Sequence, residues 1–307
     1  MNKPDPHSTP LYYPRYWPSW AAVALLRTFS MLPLPLLWVL GALLGEVASR
    51  VPSRARHTAD VNLALCFPDL DDAARRRLRR ATFRAFMQAI LSIGVGIWAS
   101  RDRLRRLVRF RDRFIYDSAL AAGQHVILLA PHFVVLEIAG LRLSQERPMV
   151  SMYKSPKNPV FDRVMRRGRS RFGGVMIERS SDLLPLVRLL REGRPFYYLP
   201  DQDPGGAPSV FAPFFGVPTA TLTAPSRIAR LARAAVIPCY TRLLPFGRGY
   251  EVIMKPPLPN FPSADPVADA TCLNAAIEQA VREMPEQYLW TYKRFKSRPL
   301  NMPSRYD

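Results

Sequence analysis

The 307-residue chain has little of what disulfide scaffolds and metal centres are built from, holding 3 cysteines and 4 histidines. Cys66, Cys239 and Cys272 are odd in number, far apart and outside any CxxC pattern, which argues against a disulfide framework or a zinc site. His7, His57, His125 and His132 form no group at ligand spacing either. Reduced, structural thiols in a cytosol-facing domain are the simplest account. The chain lacks a Gly-x-Ser-x-Gly elbow, which speaks against a serine nucleophile. It also lacks the aromatic signature of an RNA-recognition module and any zinc finger, so nucleic acid is not expected as a partner. Acidic residues are scarce: 24 Asp+Glu against 44 Lys+Arg, a net charge of +20. Such an excess attracts a polyanion, whether an acidic protein or an anionic lipid surface.

With 48% hydrophobic residues, the chain can form one large domain with a small helical addition. Many of its 31 prolines end apolar runs, as at Ala130-Pro131 and Leu199-Pro200. The residue before proline is pushed towards extended geometry, so these steps read as strand ends.

The most apolar stretch runs from Trp17 to Val47 and is uncharged between Arg27 and Glu46. That length lies near the lower end of the ~17–25 residues that cross a bilayer. Pro33 and Pro35 would kink or break a helix there, and Trp17, Trp20 and Trp38 suit interface depth. A single anchor helix is expected, with a helix pair lying in the interface as the alternative. The polar, proline-rich lead from Met1 to Ser19 does not resemble a cleaved signal peptide. Arginines crowd the following segment, above all at Arg75-Arg76-Arg77-Leu78-Arg79-Arg80, which points to the cytoplasmic side of a membrane. They alternate with Leu78, Phe83, Phe86, Met87, Ile90 and Leu91 at helical spacing, so the segment is an amphipathic helix and not a free basic tail. The expected organisation is a lead and anchor over residues 1–50 and one α/β domain over residues 51–307, including a basic helical segment at 51–107.

Strand signals at His125 to Ala130, Pro148 to Met152, Val175 to Ile177, Pro195 to Leu199, Val236 to Arg242 and Tyr250 to Met254 alternate with helical stretches. These are Glu137 to Leu143, Asn158 to Arg171, Asp182 to Arg191, Leu222 to Ala234 and Val267 to Met284. Alternation with short links predicts an α/β fold with a mostly parallel central sheet flanked by helices.

The first of these strands delivers His132-Phe-Val-Val-Leu-Glu137 just past its carboxyl end, where open α/β sheets bind ligands. On an ideal helix, residues five apart lie about 140° apart. His132 and Glu137 therefore pair only if the histidine sits in the turn before the helix. A carboxylate on one imidazole nitrogen fixes the tautomer and lets the other nitrogen take a proton from a hydroxyl. The bland alternative is a histidine satisfied locally at a helix cap. Lys154, Arg169, Arg171 and Arg179 are candidates to hold an anion, Arg179 foremost because it follows a strand end. Asp201 and Asp203 follow another strand end; a site role is expected for Asp201, to orient such an arginine, and a structural one for Asp203. Phe211, Phe214 and Phe215 read as packing residues that could instead wall an apolar tunnel.

Several stretches together resemble the lipid A secondary acyltransferase family within the lysophospholipid acyltransferase superfamily. They are Pro14-Arg-Tyr-Trp17, Asn62-Leu-Ala-Leu-Cys-Phe-Pro68, His132 to Glu137, Asn158-Pro159, Arg169-Ser-Arg-Phe-Gly-Gly174, Tyr198-Leu-Pro-Asp-Gln-Asp203, Pro285-Glu-Gln-Tyr-Leu-Trp290 and Arg294-Phe-Lys296. The wider superfamily usually has Asp where Glu137 stands, and Glu looks like the lipid A branch. The resemblance implies a glycerolipid acyltransferase-like fold. It implies a catalytic His132–Glu137 pair on the cytoplasmic face of a bacterial inner membrane. It implies transfer of an acyl chain from acyl carrier protein to a hydroxyl of a phosphorylated, Kdo-bearing lipid A precursor. No cofactor beyond the acyl thioester co-substrate is expected. A phospholipid or aminolipid acceptor is the alternative.

Overall fold

A computed structural model describes residues 11–178, 183–299 and 302–307. The apolar N-terminal stretch is helical, and in place of the single anchor helix it forms a pair, the alternative expected, α1 (Trp17–Phe29) and α2 (Leu34–Arg50). The break falls at Pro33, which has no amide hydrogen to continue α1. At 1.5 Å per residue, the 17 residues of α2 reach about 25 Å, short of a hydrocarbon core of about 30 Å. Trp17, Leu25, Met31, Leu36, Val39 and Leu43 are exposed on this pair.

Two helices follow, α3 (Arg54–Cys66) and α4 (Asp72–Trp98), each started by a side-chain cap, from Ser53 and Asp71. Among the described residues α4 is the one helix long and apolar enough to cross a membrane by itself; 61% of its apolar window is buried, as befits a helix of the protein core. The backbones of α2 and α4 meet closely at Gly41 and Gly45. A Cβ on Gly41 would lie 2.5 Å from the Cα of Gln88, and one on Gly45 would run into the backbone of Arg84.

The remaining elements are α5 (Arg101–Leu107), β1 (Val108–Arg111), α6 (Phe114–Ala121), β2 (His125–Leu129), α7 (Leu136–Ser144), β3 (Val150–Tyr153), α8 (Pro159–Ser170), β4 (Val175–Glu178), α9 (Leu184–Arg191), β5 (Phe196–Tyr198), β6 (Ser209–Phe214), β7 (Val217–Leu222), α10 (Ala224–Ala232), β8 (Ala234–Leu243), β9 (Tyr250–Met254) and α11 (Pro266–Glu283). Seven strands form one sheet in the order β1-β9-β8-β2-β5-β3-β4, parallel throughout except for the antiparallel β8–β9 pair. The fold is thus α/β with the mostly parallel central sheet read from the sequence.

Strand β2 is central, paired on one side with β5 and on the other with β8. Its side chains alternate between two cores. Ile127 and Leu129 face one, Val126, Leu128 and Ala130 the other. Burial on both faces is why this strand reads as a continuous apolar run. The β6–β7 hairpin is a feature the sequence reading did not separate. Its two-residue turn, Phe215-Gly216, has positive φ at both positions, 51° and 72°. Phe214 and Phe215 are buried and Phe211 is 40% exposed, and none of the three lines a cavity described below.

Candidate active site

Strand β2 ends at Leu129, and Pro131 turns the chain so that His132 stands between the sheet and the first turn of α7. A distant segment fixes this turn. Leu289 donates its amide to the His132 carbonyl at 3.1 Å, and Val134 donates to the Gln287 carbonyl at 2.9 Å. Gln287 is itself clamped, accepting from the Leu243 amide at 2.7 Å and donating to the Leu243 carbonyl at 3.1 Å. Phe133 packs edge-on against Tyr288, and the Trp290 indole closes the turn by donating to the Pro285 carbonyl at 2.7 Å. The Pro285 to Trp290 block is therefore the clamp of the histidine loop.

The carboxylate at the imidazole is that of Asp201, not Glu137. Asp201 Oδ1 lies 2.6 Å from His132 Nδ1, and Oδ2 accepts from the His132 amide at 2.8 Å and from the Tyr288 hydroxyl at 2.9 Å. The side chain of Asp201 is 1% exposed and that of His132 18%, so the aspartate lies beneath the ring and the ring borders solvent. Burial pushes the Asp201 carboxyl up. The His132 imidazole, through its charge and its hydrogen bonds, together with Arg294, outweighs burial and holds Asp201 below its ordinary value. With Nδ1 occupied, Nε2 is the nitrogen left for a substrate. Asp201 therefore orients the histidine, not an arginine.

Glu137, in the first turn of α7, instead forms a forked pair with Arg169 of α8: Arg169 Nε donates to Oε2 at 2.9 Å and Nη2 to Oε1. A five-residue step from a turn into a helix sends the two side chains to different neighbours, as the ~140° spacing allows. Burial lowers the Arg169 pKa, and the charge and hydrogen bonds of Glu137 more than reverse that, leaving it above its ordinary value.

Three spaces adjoin at this point. His132 lines a cavity of about 250 Å³ with Tyr153, Lys154 and Arg169. That cavity shares Met152, Arg169, Tyr197 and Leu199 with a mostly apolar pocket of about 80 Å³, which is lined by Leu136, Leu141, Met149 and Met176 and also by Glu137. It also shares Met152, Tyr153, Lys154 and Tyr198 with a wide cleft of about 1000 Å³. Arg169 thus belongs to both the histidine cavity and the apolar pocket.

Of the other sequence candidates, Lys154 lines the histidine cavity and the wide cleft. Arg171 lines none of the three spaces. It donates to the Ile97 and Ala99 carbonyls at 2.9 and 2.8 Å, closing the end of α4, and burial and the nearby Arg101 push it down to about 10. Its place is structural because those carbonyls need a donor at the helix end. Arg179 lies outside the described residues. Asp203 accepts from the amide and hydroxyl of Ser297 at 2.7 and 3.0 Å and from the Gly205 amide at 3.1 Å, which ties the C-terminal segment to the turn after β5. Burial raises the thiols of Cys66, Cys239 and Cys272, which disfavours the thiolate a nucleophile needs. Among the described residues, no His, Cys, Asp and Glu side chains form a group able to hold a metal ion.

Sequence reasoning missed Tyr288 and Gln287 as supports of the site. Their signal was present only as part of the Pro285 to Trp290 block, whose contact with His132 no local spacing reveals.

The arrangement can deprotonate a hydroxyl beside an apolar pocket, with a guanidinium close by. The chain matches the family described as bacterial lipid A biosynthesis acyltransferase over residues 5–297. It is similar to the lipid A biosynthesis lauroyltransferase of Escherichia coli (strain K12), 33% identical over 303 residues, covering 97% of this chain and 98% of that one. It is also similar to the lipid A biosynthesis myristoyltransferase of the same strain, 32% identical, with 93% and 89% covered. A lipid A biosynthesis acyltransferase of Haemophilus influenzae is 33% identical, again with 93% and 89% covered. A family match over nearly the whole length, on a fold that carries its histidine at the expected sheet edge, makes this chain a member of the bacterial lipid A biosynthesis acyltransferases.

Proposed function

We propose that this acyltransferase moves a fatty acyl chain from acyl carrier protein to a hydroxyl of a Kdo-bearing lipid A precursor, forming an acyloxyacyl group, at the cytoplasmic face of the inner membrane. The observation that carries the reading is His132, backed by the buried Asp201, standing where an apolar pocket meets a wide open cleft. The apolar pocket suits the donor's acyl chain and the open cleft a large polar acceptor.

In this mechanism His132 Nε2 takes the proton of the acceptor hydroxyl as its oxygen attacks the thioester carbonyl. Asp201 holds the ring through Nδ1 and stabilises the imidazolium that forms. Arg169, positioned by Glu137, faces the oxyanion of the tetrahedral intermediate. Collapse of that intermediate breaks the carbon–sulfur bond, and the imidazolium returns its proton to the departing thiolate. Oxygen, carbon, sulfur and proton are all accounted for without an acyl-enzyme, so no cysteine takes part, and the thioester itself supplies the activation that a cofactor would otherwise give.

The net charge of +20 suits an acidic carrier protein, a phosphorylated acceptor and an anionic membrane surface. The exposed apolar residues of α1 and α2 suit attachment to that surface. The test is transfer by the full-length protein from dodecanoyl- and tetradecanoyl-acyl carrier protein to a Kdo-bearing tetra-acylated precursor or to a lysophospholipid, read as the product mass. The precursor gains one acyl chain and the lysophospholipid none; acylation of the lysophospholipid alone would overturn the reading.

A further inference from the structure

The wide cleft next to the histidine cavity gathers three cations from three separate parts of the chain. Lys154 follows β3, Arg227 lies in the first turns of α10, and Lys296 belongs to the C-terminal segment that Asp203 fastens through Ser297. Among the described residues none of the three has an ion-pair partner, whereas Arg169, which lines the adjoining histidine cavity, is paired with Glu137. Two carboxylates also line the cleft. Asp203 is turned to the Ser297 amide and hydroxyl and the Gly205 amide but keeps its charge, so with Glu178 it leaves the three cations in excess by one. Like charges directed into one concave space repel one another, and a bound anion relieves that repulsion.

We infer that this cleft holds a phosphate monoester of the acceptor through Lys154, Arg227 and Lys296. The inference rests on the proposed transfer to a phosphorylated lipid and adds where the phosphate sits. Lys154 sets the geometry because it lines both the cleft and the histidine cavity, so a phosphate beside it lies next to the space where the hydroxyl meets His132. Lysine offers a compact charge and arginine a fork, and both make charge-assisted hydrogen bonds to phosphate oxygens.

The donor also carries a phosphate, in its phosphopantetheine arm, and kinetics separate the two sources. Full-length wild type and the Lys154→Ala, Arg227→Ala and Lys296→Ala variants are assayed with the phosphorylated precursor and with the same precursor after phosphatase treatment, each at varied donor and varied acceptor. The inference predicts that each alanine variant raises KM for the phosphorylated precursor about tenfold, the effect of losing one charge-assisted contact. The preference for phosphorylated over dephosphorylated precursor, as a ratio of kcat/KM, falls by a similar factor. Lys154→Arg and Lys296→Arg restore most of it. An unchanged preference, or a rise confined to KM for the donor, overturns the inference while wild-type transfer leaves the proposed function standing. No transfer by wild type to either acceptor overturns both.

Discussion

Asp201 and His132 are joined twice, by a 2.6 Å contact between Oδ1 and Nδ1 and by a 2.8 Å hydrogen bond from the His132 amide to Oδ2. A carboxylate that grips both the ring and the backbone of one residue fixes that residue's rotamer as well as its tautomer. It holds the ring from beneath while 18% of the histidine side chain remains exposed.

Asp201→Asn keeps the shape but can present a donor to Nδ1, favouring the wrong tautomer. Turnover should fall at least about a hundredfold, with a smaller change in KM, as for loss of a general base. Steady-state kinetics on the full-length protein check this.

Acid should weaken the same contact. The folded Asp201 carboxyl lies below its ordinary value because the His132 contacts outweigh burial, and the unfolded value is about 3.9. The sign follows: its contribution to stability is present above the unfolded value and is lost as pH falls through the folded one. Urea unfolding of wild type and Asp201→Asn should give curves well separated at pH 5 that draw together towards pH 3.

Tyr288→Phe removes one of the two hydrogen bonds to Asp201 Oδ2 and leaves a buried carboxylate short of a donor. The expected cost is about 1–3 kcal/mol of stability, read as a lower midpoint of denaturant unfolding.

Gly41→Leu should separate α2 from α4, since even a Cβ there meets the Gln88 backbone. Overpacking of this kind costs about 1–3 kcal/mol, or more where neither backbone can move. Thermal unfolding in detergent checks the direction, and Val39→Leu, on the exposed side of α2, should leave the midpoint within about 1 °C, as for a surface substitution.

Arg169→Lys tests the fork. Lysine keeps the charge but cannot match both oxygens of Glu137, so kcat should fall by about 10²-fold or more as the oxyanion loses a placed donor. Lysine activity equal to that of arginine in a kcat measurement would make Arg169 a simple counter-charge.

Much of the fold was legible because strands buried on both faces announce themselves: His125 to Ala130 has no polar residue after its first. Helix α8 was legible from Asn158-Pro159, a cap followed by proline, and Asn158 Oδ1 does accept from the Val160 amide. The break between α1 and α2 was legible in Pro33 and Pro35, although hydropathy, which sums over them, favoured one anchor helix. The β6–β7 hairpin hid behind Phe-Ala-Pro-Phe, where proline argues against a strand; it tolerates one because the two strands form a separate two-stranded sheet. In the site, His132 was found from its place after a strand, and a carboxylate partner was rightly required. Which carboxylate could not be read from spacing: Glu137 is five residues away and turns to Arg169, whereas Asp201 is 69 residues away and arrives on the neighbouring strand β5. Parallel pairing of β2 with β5 is what brings both strand ends to one edge.

We propose His132 as the base and Asp201, not Glu137, as the group that directs it. The most direct measurement is single-turnover transfer from acyl carrier protein to the Kdo-bearing precursor across pH 5 to 9, for wild type, His132→Ala, Asp201→Asn and Glu137→Gln. A loss of at least about a hundredfold is expected in His132→Ala and Asp201→Asn, with Glu137→Gln slowed but keeping the wild-type pH profile. Wild-type rates in His132→Ala or Asp201→Asn, or a pH profile shifted by Glu137→Gln alone, would contradict it.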